Sequence, residues 1–445
     1  DGDMQARVAF DVFYRKNPDR GGFTIFAGLE QIVEYIENLH FSDEDIAYLR
    51  SLNTFTDAFL EYLRAFTFRG DIYAFAEGTI MYPNEPVITV IAPLIDAQLV
   101  ETAILAQVNH QSLVATKTAR IVKAAAGKTV SDFGARRAHN MDAAVYGARA
   151  SYIGGASGTA TVLAGQMFGI PVGGTMAHSW IMYYKDEYEA FKNYAVNYPD
   201  NTVLLVDTYD TMQSGVPNAI RVAHEILEPM GKRLKGIRID SGDLAYQSVK
   251  VRKMLDEAGL SDCKIIVSNS LDEHTISSLN TQKACIDSYG VGERLITGAT
   301  SDYSDDTLAL LGAVYKIAAV EENGVFTPRI KISGTVEKIT NPGLKKVYRI
   351  YDQNGKAKAD LIAKADEEID MSVPFRFVDP NMPWRNLKFT GCTAKPLQEK
   401  IFENGKRVYA LPTLEEIRAY VKRQLCEEIW EEEQRFINPH VHYMD

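Results

Sequence analysis

The sequence predicts an α/β protein: an irregular (β/α) barrel with an additional α+β domain built from the N- and C-terminal parts. Three observations lead there. From Val130 to about Ile296, apolar runs alternate with polar turns and helical stretches, with starts at Val203, Gly236, Lys264 and Ile286, spaced 33, 28 and 22 residues apart. That is the spacing of βα units. Three of these runs end in polar residues, at Asp207, Asp240 and Ser268, and in parallel α/β folds the strand ends carry the chemistry. No GxGxxG follows a strand, which removes the main sign of a dinucleotide-binding sheet and favours the barrel.

In chain order, the first part (1–126) reads as mixed α and β. Val8–Tyr14 alternates as a strand does. Leu29–Leu39 has helical spacing, and Ser42-Asp43-Glu44-Asp45 has the form of the next helix cap. Tyr73–Val90 holds short strands broken by Gly78, Pro83 and Pro86. Asp96–Ala126 is one long helical pattern without Gly or Pro, with Lys117 among the polar residues that interrupt its apolar face. The βα repeats fill the catalytic core, 127–312. Beyond it, 313–445 is β-rich and more basic, with strands expected at Ala313–Val320, Arg329–Ile332 and Lys345–Tyr351, then a charged helix over Thr413–Phe436. His440 and His442, two apart near the end, could face one way and bind a metal or be a solvated terminus.

Composition narrows the function. The chain has 445 residues and is 46% hydrophobic, enough for two or three domains around large cores. A net charge of -11 argues against affinity for nucleic acid through a broad basic surface. No window approaches the ~20 apolar residues of a membrane span. Four widely spaced cysteines without a CxxC pair offer no zinc site and fit a reducing cytoplasm. Asp1-Gly2-Asp3-Met4 is an unusual start, read here as a trimmed terminus.

Several groups can carry chemistry. Gly174-Thr175-Met176-Ala177-His178 follows the apolar run Ile170–Val172, and a strand, a Gly turn and one histidine is how an α/β enzyme sets an imidazole at a rim. Asp240-Ser241-Gly242-Asp243 reads two ways: a helix cap, or paired carboxylates that hold Mg²⁺ or stabilise a developing cation. Asp207-Thr208-Tyr209-Asp210 repeats it one strand earlier, as an acidic rim. Ser288-Tyr289-Gly290-Val291-Gly292 is taken as a turn after the last strand, either a plain tight turn or a phosphate cradle. Asp132-Phe133-Gly134-Ala135-Arg136-Arg137 sets an aromatic ring beside guanidinium groups suited to phosphate or carboxylate. Tyr14-Arg15-Lys16 is an edge-strand guard or part of an anionic pocket. Together these suit a phosphorylated, Mg²⁺-chelated substrate.

In order along nearly the whole chain, Phe13–Pro18, Asp132–Ala138, Gly174–Ser179, Val206–Asp210, Arg238–Asp243, Tyr289–Gly292 and Lys388–Cys392 resemble the nicotinate phosphoribosyltransferase family. The family has a longer N-terminal helical segment, so part of the natural terminus is expected to be missing here. The resemblance implies that nicotinate and phosphoribosyl pyrophosphate give nicotinate mononucleotide and pyrophosphate, with ATP as co-substrate and Mg²⁺ as cofactor, in NAD biosynthesis. It implies that His178 is phosphorylated by ATP, that Asp240 and Asp243 serve ribose and metal, and that Arg136 and Arg238 face base and phosphates. It makes Gly290 and Gly292 the phosphate turn and Phe133 one ring against the pyridine. Tyr14, as the other ring, would come from the neighbouring subunit of a homodimer with shared active sites. Thr175 and Ser268 complete the expected substrate-binding set. The nicotinamide-using relative has an acid in its Gly-Thr-Asp-Thr segment, whereas Gly158-Thr159-Ala160-Thr161 has an alanine, so nicotinate is the expected base. A phosphometabolite-sensing barrel and a barrel aldolase are the other readings; no lysine ends a barrel strand in a Schiff-base position.

Overall fold

The computed structural model describes residues 6–299, 310–334, 338–378, 384 and 386–429. The chain divides into two compact units: residues 1–113 with 310–445, and residues 114–309. The first division falls inside the Glu101–Ala124 helix, where no glycine or proline marks it.

The first unit is built on a seven-stranded antiparallel sheet, in the order Val325–Pro328, Val314–Glu322, Arg7–Phe13, Ile88–Pro93, Asp71–Phe75, Gln398–Glu403, Lys406–Arg407. Arg7–Phe13 is central in the sheet, paired along both edges, and from Val8 to Phe13 it is buried on both faces. Its one acid, Asp11, is buried and neutralised by Lys345 Nζ at 2.8 Å, while Thr89 Oγ1 donates at 2.7 Å. Burying this carboxyl raises its pKa, against the pull of Lys345. A second, three-stranded sheet centres on Lys345–Tyr351. Ser42 caps the Asp43–Ser51 helix in a capping box with Asp45. The expected Asp96–Ala126 helix is two helices, Leu94–Leu99 and Glu101–Ala124. Buried Asp96 anchors the first of them, accepting from the Arg69 backbone N and from its Nε and Nη2. The strand expected at Arg329–Ile332 lies earlier, at Val325–Pro328. Thr413 caps the Leu414–Arg423 helix. His440 and His442 lie outside the described residues.

The second unit holds a six-stranded, all-parallel sheet in the order Gly158–Thr159, Thr129–Asp132, Ser288–Val291, Lys264–Val267, Gly236–Ile239, Val203–Leu205. Its strands are short and apolar because helices cover them: Leu204, Leu205, Ile237, Ile239, Ile265 and Val267 are all fully buried. Glu273, at the start of the Glu273–Thr281 helix, is fully buried and takes Lys117 at 3.0 Å and Arg120 at 3.2 Å from the long helix. Lys117 is therefore an interior ion-pair partner.

Two sequence expectations change here. Ile170–Val172 forms no strand; only an isolated parallel bridge joins Val172 to Thr159, and His178 opens the short helix His178–Tyr183. Ser288–Val291 is itself the last strand, so Gly290 lies within a strand and only Gly292 lies in the turn after it.

Candidate active site

The carboxyl ends of the parallel strands open into a cavity of about 430 Å³, within the range of small-molecule sites. Strand geometry fills it. Side chains alternate along Gly236–Ile239, so Ile237 and Ile239 turn into the core while Arg238, and Asp240 just beyond, turn to the cavity. Arg238 is tied locally through three of its N–H groups: Nε donates to Ser268 Oγ at 2.8 Å, Nη1 to Thr175 Oγ1 at 2.8 Å and Nη2 to Asp240 Oδ1 at 3.0 Å. Ser268 Oγ in turn donates to the same Asp240 oxygen. One guanidinium thus ties three strand-end and loop residues into a rigid unit.

Asp240 is the anionic centre. Burial works to raise its pKa, but the Ser268 hydrogen bond and the Arg238 charge outweigh burial and hold the carboxyl below its usual 3.8. Its Oδ2 stays turned toward His178, 3.7 Å from Nε2. Asp207 Oδ1 lies 4.0 Å from the same nitrogen. Both separations exceed a hydrogen bond, but they surround Nε2 with negative charge. The opposite ring nitrogen, Nδ1, is 3.0 Å from Thr208 Oγ1.

The aromatic side of the cavity depends on Asp132. This buried acid accepts from Gly134 N at 2.8 Å and from Thr159 Oγ1 at 2.7 Å, which fixes the turn that carries Phe133. Burial raises its pKa, opposed by those two bonds. The Phe133 ring lies against Gly290 and 5.5 Å from the Arg238 guanidinium. Arg136 and Ala160 are exposed and line the same cavity. Arg136 forms no ion pair among the described residues, so its charge is open to an anion.

The structure therefore gathers His178, Asp240, Arg238, Ser268, Thr175, Phe133, Arg136, Gly290 and Gly292 around one space. It does not bring Asp243 there. That side chain is exposed and accepts from Tyr246 N at 2.9 Å, capping the Leu244–Glu257 helix; of the two readings of the acidic turn, the cap applies to Asp243. Nor is Tyr14 available. Its ring is 1% exposed in the core of the first unit, and its hydroxyl lies 2.8 Å from Met81 O and 2.9 Å from Asn17 Oδ1, either of which can accept its one proton, so it has no face to offer a ligand. Gly290 serves less as a phosphate turn than as the space for the Phe133 ring. Sequence reasoning left Asp132 and Thr208 without a role and saw Asp207 only as part of an acidic rim. The signal was present: Asp132 is the polar last residue of Thr129–Asp132, and Asp207 and Thr208 follow the Val203–Leu205 strand after Val206.

Asp240 Oδ2 fits the role of a single carboxylate ligand to Mg²⁺, an ion that typically keeps substrate phosphates and water as its other ligands. Asp243 does not fit it. Among the described residues no group of three or more His, Cys, Asp or Glu could hold a metal by itself. Nor is any described helix long and apolar enough to cross a membrane.

Comparison with known proteins shows the family. The chain matches the models for the nicotinate phosphoribosyltransferase N-terminal domain over residues 1–109, the nicotinate phosphoribosyltransferase family over 129–354 and the C-terminal domain over 344–445. It is 47% identical to nicotinate phosphoribosyltransferase of Bacillus subtilis, over all of this chain and 89% of that one. It is 35% identical to the Caenorhabditis elegans enzyme of the same name, over 97% and 85%. The crystal structure of human nicotinic acid phosphoribosyltransferase superposes with a TM-score of 0.85 at 28% identity, covering 99% of this chain and 93% of that chain. The chain belongs to the nicotinate phosphoribosyltransferase family.

Proposed function

We propose that this protein joins nicotinate to phosphoribosyl pyrophosphate, giving nicotinate mononucleotide and pyrophosphate, as a step in NAD biosynthesis. The observation that carries the reading is Asp240: an anion held by Arg238 and Ser268 at a strand end, facing a cavity that also holds an aromatic ring and an open arginine. Departure of pyrophosphate leaves positive charge on the ribose carbon. A fixed carboxylate there lowers the barrier because it needs no reorganisation as the charge develops. Phe133 offers a flat surface for the pyridine ring, so that its nitrogen is aligned for attack. Arg136 is the cation for the nicotinate carboxylate or a phosphate, and Ala160 leaves no acid to repel that carboxylate. Gly292, at the turn before the Glu293–Thr297 helix, keeps the rim open to the phosphate. Mg²⁺, entering with the pyrophosphate, would neutralise leaving-group charge beside Asp240.

The reading extends to ATP as co-substrate, with His178 as the residue it phosphorylates. It also takes the protein as a cytoplasmic homodimer with shared sites, in which a neighbouring subunit closes the base pocket with a residue other than Tyr14, and takes the parallel sheet as the wall of an irregular barrel. The test is direct: purified protein with Mg²⁺ and phosphoribosyl pyrophosphate, with and without nicotinate and ATP. Release of pyrophosphate that depends on nicotinate, with stoichiometric nicotinate mononucleotide, supports the assignment. Release that ignores nicotinate, or no product at saturating substrates, refutes it.

A further inference from the structure

We propose that Asp207 is a positioning residue that fixes the tautomer of His178, keeping the proton on Nε2 and the lone pair on Nδ1. Three observations converge. The Asp207 side chain is 2% exposed, yet its Oδ1 has no hydrogen-bond partner among the described residues and lies 4.0 Å from His178 Nε2. Its other oxygen is fully engaged, accepting from Asp240 N at 2.8 Å and Ser241 Oγ at 2.6 Å, so the carboxylate cannot rotate to relieve the first. Asp240 Oδ2 approaches Nε2 from a second direction at 3.7 Å. A nitrogen facing two carboxylates is stabilised as N–H and opposed as a lone pair. The Thr208 hydroxyl, 3.0 Å from Nδ1, then acts as donor to the free lone pair. Asp207 so does two jobs with one carboxylate: it holds the backbone of Asp240 and it decides which imidazole nitrogen can act as a base or nucleophile.

This inference rests on the reading of His178 as the reactive imidazole, but its first test does not need turnover. Histidine-selective ¹⁵N labelling of the full chain, with His178→Gln to assign the ring among the eight histidines, gives the tautomer from long-range ¹H–¹⁵N correlations at the alkaline plateau. The wild type should be the Nε2–H form. In Asp207→Asn, the amide oxygen must take over the bonds from Asp240 N and Ser241 Oγ, which turns the amide N–H₂ toward Nε2. The ring should then shift toward the Nδ1–H form. If His178 has the proposed role, kcat should fall on the order of 10²-fold, with KM for nicotinate changed far less. The loss should stay below the ~10⁴-fold seen where a carboxylate hydrogen-bonds the imidazole directly. A wild-type Nδ1–H tautomer overturns the inference even if Asp207→Asn does not fold. So does an Asp207→Asn protein that keeps both the tautomer and kcat. If the wild type makes no nicotinate mononucleotide, the proposed function fails, while the tautomer measurement still decides the role of Asp207.

Discussion

Gly290→Ala tests whether the Phe133 ring is a fixed surface of the site. Gly290 sits in the Ser288–Val291 strand, and a Cβ there would fall 2.5 Å from two carbons of the Phe133 ring. Carbon contacts settle at about 3.5–4.0 Å, so roughly 1–1.5 Å of separation must be found. The strand cannot supply it, being paired in parallel register on both sides. Nor can the Phe133 backbone, whose N–H donates to Val291 O at 2.8 Å and which follows the buried Asp132 anchor. The ring must move. Overpacking of this kind costs about 1–3 kcal/mol, and a misplacement of about 1 Å in a positioning group can cost ~10²-fold in rate. Gly290→Ala should therefore lower kcat/KM for nicotinate by 10- to 100-fold on the order given by that principle, with a modest fall in Tm. Steady-state assays with nicotinate varied at saturating phosphoribosyl pyrophosphate, beside thermal melts, give both numbers. The double variant Gly290→Ala/Phe133→Leu separates them: the smaller side chain relieves the clash and restores Tm, but leaves the pyridine without its ring, so kcat/KM stays low. An unchanged kcat/KM in Gly290→Ala, or its recovery in the double variant, refutes the assignment of Phe133.

Three other outcomes are expected. Asp240→Asn keeps the size and most hydrogen bonds of the side chain but removes the charge that faces the developing cation; it should fold normally and lose on the order of 10²–10³-fold in kcat, and near-normal turnover would remove Asp240 from the mechanism. Ala160→Asp puts a carboxylate on the cavity wall and should lower kcat/KM for nicotinate at least ~10-fold relative to nicotinamide, checked with both bases in one assay; an unchanged ratio would show that the base binds away from residue 160. The third concerns Glu85, whose pKa is raised well above 4.5 by burial, then by the charge and hydrogen bond of Asp360, against the pull of Arg349. A carboxyl whose pKa is raised by folding gives its full stability below about pH 4.5 and loses it as pH climbs through the folded value. Glu85→Gln cannot ionise and can still accept from Tyr82 N, so its Tm advantage over wild type should widen from pH 5 to pH 8; a difference that stays constant with pH shows that folding does not raise the pKa of Glu85.

Much of this site could be read before the structure, and the parts that could not have physical causes. Strand ends were readable because a buried parallel strand must be apolar and its last residue need not be; hence Asp207, Asp240 and Ser268. Lys345–Tyr351 was readable end to end. Tyr14 was not, because a tyrosine at a strand end looks the same whether its hydroxyl reaches solvent or, as here, the carbonyl of Met81, far along the chain. Gly290 was misread because a glycine suggests a turn, and only the fold reveals that its missing side chain is occupied by a ring from another strand end. The helix break at Val100 carries no glycine or proline, and the Arg69–Asp96 contact beside it is long-range.

The acidic turn holds the most instructive difference, since Asp240 and Asp243 are chemically identical and three residues apart. Side chains of a strand alternate, so residues two apart share a face. Arg238 faces the cavity because Ile237 and Ile239 must be buried, and Asp240 inherits the direction of Arg238. After Asp240 the alternation ends: Gly242 has a φ of 74° and the chain turns into a helix. The first residues of a helix expose backbone N–H groups that need acceptors, and Asp243 supplies one. The side chain that continues the strand thus becomes the anion of the site, while the one that opens the helix is consumed by the backbone. The same rule predicts the roles one strand earlier, where Asp207 continues the Val203–Leu205 strand and faces His178, and Asp210 caps the turn that follows by accepting from Met212 N and Gln213 N.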